Sequence, residues 1–215
     1  MLTDDKKRKA LIRLVDDDPS VLRALTVFLE MAGWNVAVFS SGQTFLESDL
    51  TPPGCVVLDV RMPGMTGIEL LHKMNERKIS LPIIFLSAHG DIEMAVGALQ
   101  HGARTFLVKP PDTVKLLAEI ESAAEADFEH RRSTAWAQTL KSAWAVLTPT
   151  EQEVASMVAK GLTTSVIAEA RGVAERTVKA QRASILAKLE LENAVELADF
   201  LHELHEAEAS AGGRP

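Results

Sequence analysis

Polar residues able to do chemistry recur through the first half of the 215-residue chain, each directly after a short apolar run. Asp16 and Asp17 follow the first run, Asp59 follows a later one, and Ser87 and Lys109 follow two more. Three carboxylates placed together would repel one another, and oxygen ligands with a phosphate partner suit Mg²⁺. A hydroxyl and a lysine beside them can hold phosphate oxygens. These residues predict a phosphoryl-acceptor site in which Asp59 attacks, the metal neutralises charge, and Ser87 and Lys109 bind the transferred group.

The elements that must position these residues are five short strands alternating with helices, which favours a doubly wound parallel sheet. Apolar runs bounded by glycine or proline predict the strands, at residues 11–15, 35–38, 55–59, 81–86 and 104–108. Helical periodicity predicts the helices, at residues 19–32, 42–48, 68–77, 91–101 and from 112 onward. Because ligands of such sheets bind at the carboxyl ends of the strands, the four sets of polar residues are expected to meet at one edge.

Each of these residues also has a structural interpretation. An aspartate after a strand is usually a turn or cap residue, Ser87 alone could cap a helix, and Lys109 alone is usually a solvated surface charge. Taken singly, each structural interpretation is the more common one. Their occurrence at four strand ends of one predicted sheet favours the functional interpretation.

Four segments resemble the receiver domain of two-component response regulators: VDDDPSV at 15–21, VVLDVRMPGMTGIELL at 56–71, IIFLSAHGD at 83–91 and GARTFLVKP at 102–110. The resemblance covers residues 8–125 and implies a flavodoxin-like receiver. It implies that a sensor histidine kinase phosphorylates Asp59. It also implies a magnesium site, and the matching ligands are Asp16, Asp17, Asp59 and the backbone carbonyl of Arg61.

The same resemblance implies a conformational switch made by Ser87, Lys109 and Phe106. Phosphorylation adds close to two negative charges, so Ser87 would move toward the phosphate and Phe106 would turn into the space it leaves. Phe106 could instead be an ordinary core residue. The family usually has a cis peptide bond at the position of Lys109-Pro110, whereas Pro111 departs from the aromatic residue common there.

Residues 112–146 contain neither glycine nor proline, which predicts one helix running on past the receiver or broken near residues 133–134. We take residues 126–146 as a helical linker. Trp136, Leu140 and Trp144 repeat at i, i+4 and i+8 and so share one helix face. Two interpretations stay open: this stripe packs on its own domain, or it forms a dimer or interdomain seam.

The second half of the chain predicts a small all-α domain over residues 147–208. Its four helices are expected at residues 149–160, 163–171, 174–189 and 192–208, and Thr148, Pro149 and Glu151 make a strong helix start. A short helix, a glycine-containing turn at 172–173 and a longer helix form the helix-turn-helix pattern. The third helix concentrates positive charge, which suits contact with DNA phosphates. A solvated amphipathic helix is the alternative.

The segment LTPTEQEVASMVAKGLTTSVIAEARGVAERTVKAQRASILAKL, residues 147–189, resembles the LuxR-type helix-turn-helix of NarL/FixJ regulators. The resemblance implies that the third helix enters the major groove of a palindromic DNA site. The DNA-contacting positions it implies are Arg176, Thr177, Lys179, Gln181, Arg182, Ala183 and Lys188. The sequence departs from the pattern at Thr164, Arg171, Ala174 and Gln181. Ala174 removes a helix cap, which costs about 1 kcal/mol, and Arg171 is expected either to pack or to reach phosphate.

Composition narrows the class of protein further. The chain is 47% hydrophobic, carries a formal net charge of −7, and has one cysteine, Cys55. One cysteine excludes a disulfide framework within the chain and fits a reducing compartment. The sequence has no apolar stretch of transmembrane length and no signal-peptide pattern, so we expect a cytoplasmic protein.

We therefore expect a phosphorylation-dependent transcriptional regulator that dimerises when phosphorylated and then binds an operator. We do not expect an enzyme, because aspartyl-phosphate hydrolases need a second acid two residues after the nucleophile, and Arg61 stands there. A receiver with an RNA-binding or protein-binding output is the other alternative. The cations concentrated over residues 176–188 favour DNA.

Overall fold

A computed structural model describes residues 2–88, 97, 99 and 102–212 of the chain. The chain divides into two compact units, Met1–Arg131 and Arg132–Pro215. Most of the helix predicted at 91–101 lies outside the described residues. Within the described residues, no helix combines the length and apolarity needed to cross a bilayer.

The first unit is a five-stranded parallel sheet in the order β2-β1-β3-β4-β5, which confirms the predicted doubly wound fold. The strands are β1 (Leu11–Val15), β2 (Asn35–Phe39), β3 (Gly54–Asp59), β4 (Ile83–Ser87) and β5 (Thr105–Val108). The helices of this unit are α1 (Asp4–Lys9), α2 (Pro19–Met31), α3 (Gly42–Leu46) and α4 (Gly67–Glu76), followed by the start of α5 (Thr113–Trp144). Only α1 among these was not predicted from the sequence.

The central strand β3 is buried along its whole length, because both faces of the sheet are covered. Cys55 and Val57 contribute to the apolar cluster on one face, and Val56 and Leu58 contribute to the cluster on the other. This alternation follows from the two-residue repeat of a strand. Asp59 is the last residue of the strand and follows directly on this apolar run.

The helix α5 is continuous from Thr113 to Trp144, as the sequence predicted, and the break left open near residues 133–134 does not occur. Asp112 accepts a hydrogen bond from the backbone N–H of Lys115 and caps its start. Straight-chain residues and alanine dominate the sequence around 133–134, and neither glycine nor proline interrupts the helical hydrogen bonding.

The second unit contains the end of α5 and four further helices, as expected for a small all-α domain: α6 (Pro149–Ala159), α7 (Thr164–Arg171), α8 (Glu175–Leu189) and α9 (Ala194–Gly212). Thr148 and Glu151 form the predicted capping box at the start of α6. Gly172 ends α7 in a left-handed conformation with φ 63°, which glycine adopts without a steric penalty. Ala174 precedes α8 and supplies no side-chain cap, as its residue type predicts.

The apolar stripe at the end of α5 packs within the second unit. Leu140 is buried against Leu201 and Leu204 of α9, and the Trp144 ring lies 6.3 Å from that of Phe200. Trp136 is about half exposed and donates its indole N–H to a carboxylate of α9. The first of the two interpretations therefore holds for Leu140 and Trp144.

Candidate functional sites

The strand register brings the predicted site residues to one edge of the sheet. Val15 of β1 pairs with Leu58 of β3. The residues that follow them, Asp16 and Asp59, therefore lie side by side. Leu86 pairs with Asp59, which places Ser87 one residue beyond that pair. Asp16, Asp59 and Ser87 are buried, whereas Asp17 is exposed. The edge is thus both polar and largely shielded from water.

The three carboxylates at this edge form a group that suits a hard divalent cation. Asp16, Asp17 and Asp59 each offer an oxygen, and these atoms lie within 4.8 Å of one another. Oxygen ligands from one or two carboxylates, with remaining positions for water or phosphate, are what Mg²⁺ takes in proteins. Arg61, whose backbone carbonyl completes the predicted ligand set, lies two residues beyond Asp59 in the loop that follows β3.

Lys109 joins the site from the end of β5. Its ammonium lies 2.5 Å from Asp16 Oδ2 and 2.9 Å from Asp59 Oδ1. Its backbone N–H donates to the carbonyl oxygen of Ser87 at 2.7 Å, which ties the ends of β4 and β5 together. The Lys109-Pro110 peptide bond is cis, as the family resemblance implied. One lysine is therefore shared between two carboxylates.

This sharing leaves Asp59 poorly compensated. Burial raises the pKa of Asp59, and the nearby charge of Asp16 raises it further, although hydrogen bonding and charge from Lys109 oppose both. Burial lowers the pKa of Lys109, but its bonds to Asp16 and Asp59 raise the pKa overall. The lysine is thus firmly charged, whereas the Asp59 carboxylate would gain from an additional cation.

The loop after β3 is held against the site by a glycine that sequence reasoning did not single out. A Cβ on Gly67 would lie 2.2 Å from the backbone oxygen of Asp59, so any side chain there would displace the strand end. The Gly67 N–H donates to the Val60 carbonyl at 2.9 Å, and Thr66 caps α4 together with Glu69. In a single sequence, the only sign that this glycine matters is its position eight residues after Asp59.

Phe106 lies opposite Phe85 in the β4–β5 register and is half-buried. It packs against the apolar cluster that also contains Val56 and Leu58. Both proposed roles, switch and core residue, are compatible with this position, so its switching role stays a prediction.

The predicted DNA-contacting residues lie on α8, and most of them face solvent. Arg176, Thr177, Lys179 and Ala183 are exposed, and Arg182 is partly exposed. Within the described part of the chain, Arg176, Lys179 and Arg182 form no ion pair, so three cations are available for phosphates. Gln181 is partly exposed, but its Oε1 atom is buried.

Two other cations of the helix-turn-helix are held by acids of α6. The Lys188 ammonium lies 2.8 Å from Glu151 Oε1 and 2.7 Å from Glu151 Oε2. Arg171 donates to the Thr150 carbonyl at 3.1 Å and lies 3.5 Å from Glu153. Arg171 therefore packs back against α6, which is the first of its two expected roles. In the structure, the charge of Lys188 is paired with the Glu151 carboxylate. Its predicted contact with a DNA phosphate stays untested.

A second charged cluster, which sequence reasoning missed, lies at the amino-terminal edge of the sheet. Arg13 is completely buried in β1 and donates to the Pro52 carbonyl at 2.9 Å. Asp127 of α5 accepts from the Gly54 N–H at 2.9 Å and from Arg131 Nε at 2.7 Å. Burial lowers the pKa of Arg13 and the charge of Arg131 lowers it further, whereas Asp127 raises it. The one signal in the sequence is a charged residue inside the apolar run of residues 11–15.

Comparison with known protein families gives two matches, one for each unit. Residues 12–121 match the family described as "Response regulator receiver domain". Residues 145–201 match the family described as "Bacterial regulatory proteins, luxR family". The two matches follow one another along the chain without overlap.

Similar proteins share both parts. "Transcriptional regulatory protein FixJ" of Bradyrhizobium diazoefficiens is 38% identical over 88% of this chain and 93% of its own length. "Response regulator protein TodT" of Pseudomonas putida is 35% identical over 88% of this chain and 84% of its own length. Among solved structures, response regulator StyR superposes with a TM-score of 0.84 at 38% identity, covering 91% of this chain and 99% of StyR. Full-length FixJ from B. japonicum gives a TM-score of 0.57 at 35% identity, with 93% and 98% covered.

Proposed function

Because the chain belongs to the two-component response regulators that join a receiver domain to a LuxR-type DNA-binding domain, we propose that Asp59 is its phosphoacceptor and that phosphorylation controls operator binding by α8. One observation carries this proposal. The ammonium of Lys109 bridges the carboxylates of Asp59 and Asp16 at the carboxyl end of the central strand, where an extra negative group can be received.

The reaction we propose is transfer of a phosphoryl group from a phosphohistidine of the kinase. An Asp59 carboxylate oxygen attacks phosphorus, an O–P bond forms, and the P–N bond to the histidine breaks, with its electron pair returning to the imidazole. Lys109, already 2.9 Å from Asp59 Oδ1, pairs with an oxygen of the incoming group. The Ser87 hydroxyl donates a hydrogen bond to another.

The acid cluster fits Mg²⁺, which Asp16, Asp17, Asp59 and the Arg61 carbonyl would hold. The ion would neutralise charge between the carboxylates and the phosphoryl oxygens. Lys109 alone cannot do this, because it already balances Asp16 and Asp59 together. We infer that the phosphorylated state is then reported through Ser87, which ends β4 at the site, and Phe106, which pairs with Phe85 two residues before Ser87.

The output we propose is binding to double-stranded DNA as a homodimer formed on phosphorylation. Two copies of α8 would enter adjacent major grooves of a palindromic operator, about one helical turn apart. The contacts we assign to α8 are Arg176, Thr177 and Lys179 with Gln181, Arg182 and Ala183. We propose a regulator that receives a phosphoryl group and catalyses no hydrolysis of its own, because Arg61 offers no acid to a leaving group.

Band shifts with genomic DNA fragments test this function. Full-length protein treated with acetyl phosphate and Mg²⁺ should retard its selected fragments at lower concentration than untreated protein. The Asp59→Asn variant should lose this difference, whereas Asp49→Asn, which changes an exposed aspartate of the same unit, should keep it. Equal operator affinity with and without acetyl phosphate would refute the switch but leave the DNA-binding function standing.

A further inference from the structure

Glu151 lies in the first turn of α6 and is only 8% exposed. Its carboxylate accepts hydrogen bonds from three residues. Thr148 donates its backbone N–H and its hydroxyl, each at 2.9 Å, and Ser184 donates its hydroxyl at 2.8 Å. Lys188 donates to both oxygens, at 2.8 and 2.7 Å. One carboxylate therefore fastens the start of α6 to two successive turns of the recognition helix α8.

The position of Lys188 around α8 separates it from the other cations of that helix. Nine residues, or half a turn in net rotation at about 100° per residue, separate Lys179 from Lys188. Ser184 and Lys188 are four residues apart and share one flank of the helix. That flank borders the buried stripe formed by Val178 and Ile185. Lys188 thus projects toward α6, on the side of α8 opposite Lys179.

We propose that Glu151 is a positioning residue for DNA recognition, which sets the rotation of α8 through Ser184 and keeps Lys188 out of contact with DNA phosphates. This inference rests on the DNA-binding function proposed above. Phosphate contacts add affinity for any sequence, whereas contacts with base edges discriminate between sequences. Holding one cation away from the backbone therefore lowers affinity for DNA of any sequence without removing a base contact.

The Glu151 contact persists under the conditions in which a regulator binds DNA. The hydrogen bond from Lys188, followed by those from Thr148 and Ser184, lowers the pKa of Glu151 to about 2. The carboxylate is therefore ionised at neutral pH. The ammonium of Lys188 would have to break its hydrogen bonds to both Glu151 oxygens before it could contact a phosphate.

The Lys188→Gln variant gives the most direct test, because glutamine keeps a hydrogen-bond donor toward Glu151 and removes the charge. Full-length protein treated with acetyl phosphate is titrated onto a random-sequence DNA duplex at several salt concentrations. Each lost phosphate contact reduces the slope of log K against log salt by about 0.9. We expect an unchanged slope. A slope that becomes shallower by about 0.9 per recognition helix would place Lys188 on phosphate and overturn the proposal.

The Glu151→Gln variant gives the opposite test, since it releases Lys188. We expect tighter binding to random-sequence duplex and a slope steeper by about 0.9 per recognition helix. Adding Lys188→Gln should restore the original slope. Glu169→Gln is the matched control, because it removes one exposed negative charge from α7 and should leave the slope unchanged. A purely structural role for Glu151 would weaken binding without steepening the slope, and that result would refute the proposal.

The two proposals fail in different ways. Wild-type protein that binds no duplex in a salt-dependent manner would overturn the proposed function, and this inference with it. If the wild-type protein binds DNA but Lys188→Gln shows a shallower slope of log K against log salt, this inference alone is overturned. If circular dichroism shows that Glu151→Gln does not fold, the Lys188→Gln result decides the question by itself.

Discussion

Asp59 in the first unit and Glu151 in the second are both buried carboxylates with a lysine ammonium within 2.9 Å. Their surroundings differ in how the lysine is used. Lys109 is divided between Asp59 and Asp16, whereas both bonds from Lys188 go to Glu151. The pKa of Asp59 is consequently raised, with burial as its main cause, and that of Glu151 is lowered to about 2 by its bond from Lys188.

Under the proposed function, this contrast separates a structural acid, Glu151, from the proposed phosphoacceptor, Asp59. Glu151 has hydrogen bonds at both oxygens and a full counter-charge, so nothing is gained by binding another cation there. Asp59 lies in a cluster of three carboxylates with one lysine between two of them, so under the proposed function a divalent cation or a phosphoryl group with its metal would complete the site. The number of partners, more than burial, distinguishes the two.

The largest expected effect separates the two acids chemically. Wild-type protein with acetyl phosphate and Mg²⁺ should gain the mass of one phosphoryl group, as measured by intact-mass spectrometry. Asp59→Asn should abolish this gain because the nucleophilic oxygen is lost. Glu151→Gln should retain it in full. A phosphoryl adduct that survives in Asp59→Asn would show that another residue is the acceptor.

The next effect concerns the two lysines. Removing one partner of a buried ion pair costs about 3 kcal/mol, and less when the pair is partly exposed. We expect Lys109→Met to lower the free energy of unfolding of its unit by about 3 kcal/mol, and Lys188→Met by about 2 kcal/mol because its side chain is 35% exposed. Urea unfolding measures both, since Trp34 reports on the first unit and Trp136 with Trp144 reports on the second.

Added Mg²⁺ sharpens the same comparison. The destabilisation caused by Lys109→Met should be partly reversed by the ion, because a divalent cation can replace the missing positive charge among the acids. That caused by Lys188→Met should not change. Loss of the Mg²⁺ response in the Lys109 variant would indicate that the lysine, and not the carboxylates, governs cation binding.

Removal of the metal should have a smaller effect on the wild-type chain. At a free Mg²⁺ concentration ten times Kd, binding to the folded state alone stabilises by about 1.4 kcal/mol. We expect this gain in the free energy of unfolding, measured from the Trp34 signal, for both wild type and Glu151→Gln. Addition of EDTA should remove it. Asp17→Asn should reduce it, because Asp17 is one of the three carboxylates in the cluster. An undiminished increment in Asp17→Asn would exclude that side chain as a ligand.

The last effect appears only in acid. The pKa of Glu151 is about 2 in the folded chain and ordinarily 4.5, so its stabilising contribution is present above pH 4.5 and is lost as the pH falls toward 2. The difference in urea midpoint between wild type and Glu151→Gln, read from the tryptophans of the second unit in a Trp34→Phe background, should shrink over this range. A difference that is constant between pH 5 and pH 3 would contradict the lowered pKa.

Local signals predicted most of the fold. The strands could be found because apolar runs are bounded by glycine and proline, and the acids at their ends follow directly from that assignment. The start of α6 could also be predicted, since Thr148 caps the helix through Glu151, three residues away. These features depend on a few consecutive positions, which a single sequence displays in full.

Features that depend on distant residues could not be predicted in this way. The Glu151–Lys188 pair joins positions 37 apart in sequence, and helix α1 is held by a bond from Lys6 to Glu125 across 119 positions. Propensity near residues 133–134 left a break in α5 open, whereas the structure has a continuous helix. Tertiary contacts determine such features, and a single sequence does not show which distant residues will contact one another.

The buried Arg13 has a practical consequence for anyone who isolates the receiver. The family match ends at residue 121, but the acceptor for the Gly54 N–H comes from Asp127, whose charge also raises the pKa of Arg13. A fragment cut at the family boundary would leave the buried Gly54 N–H without its acceptor, which costs about 1–3 kcal/mol. The smallest fragment that folds stably should therefore extend through Arg131.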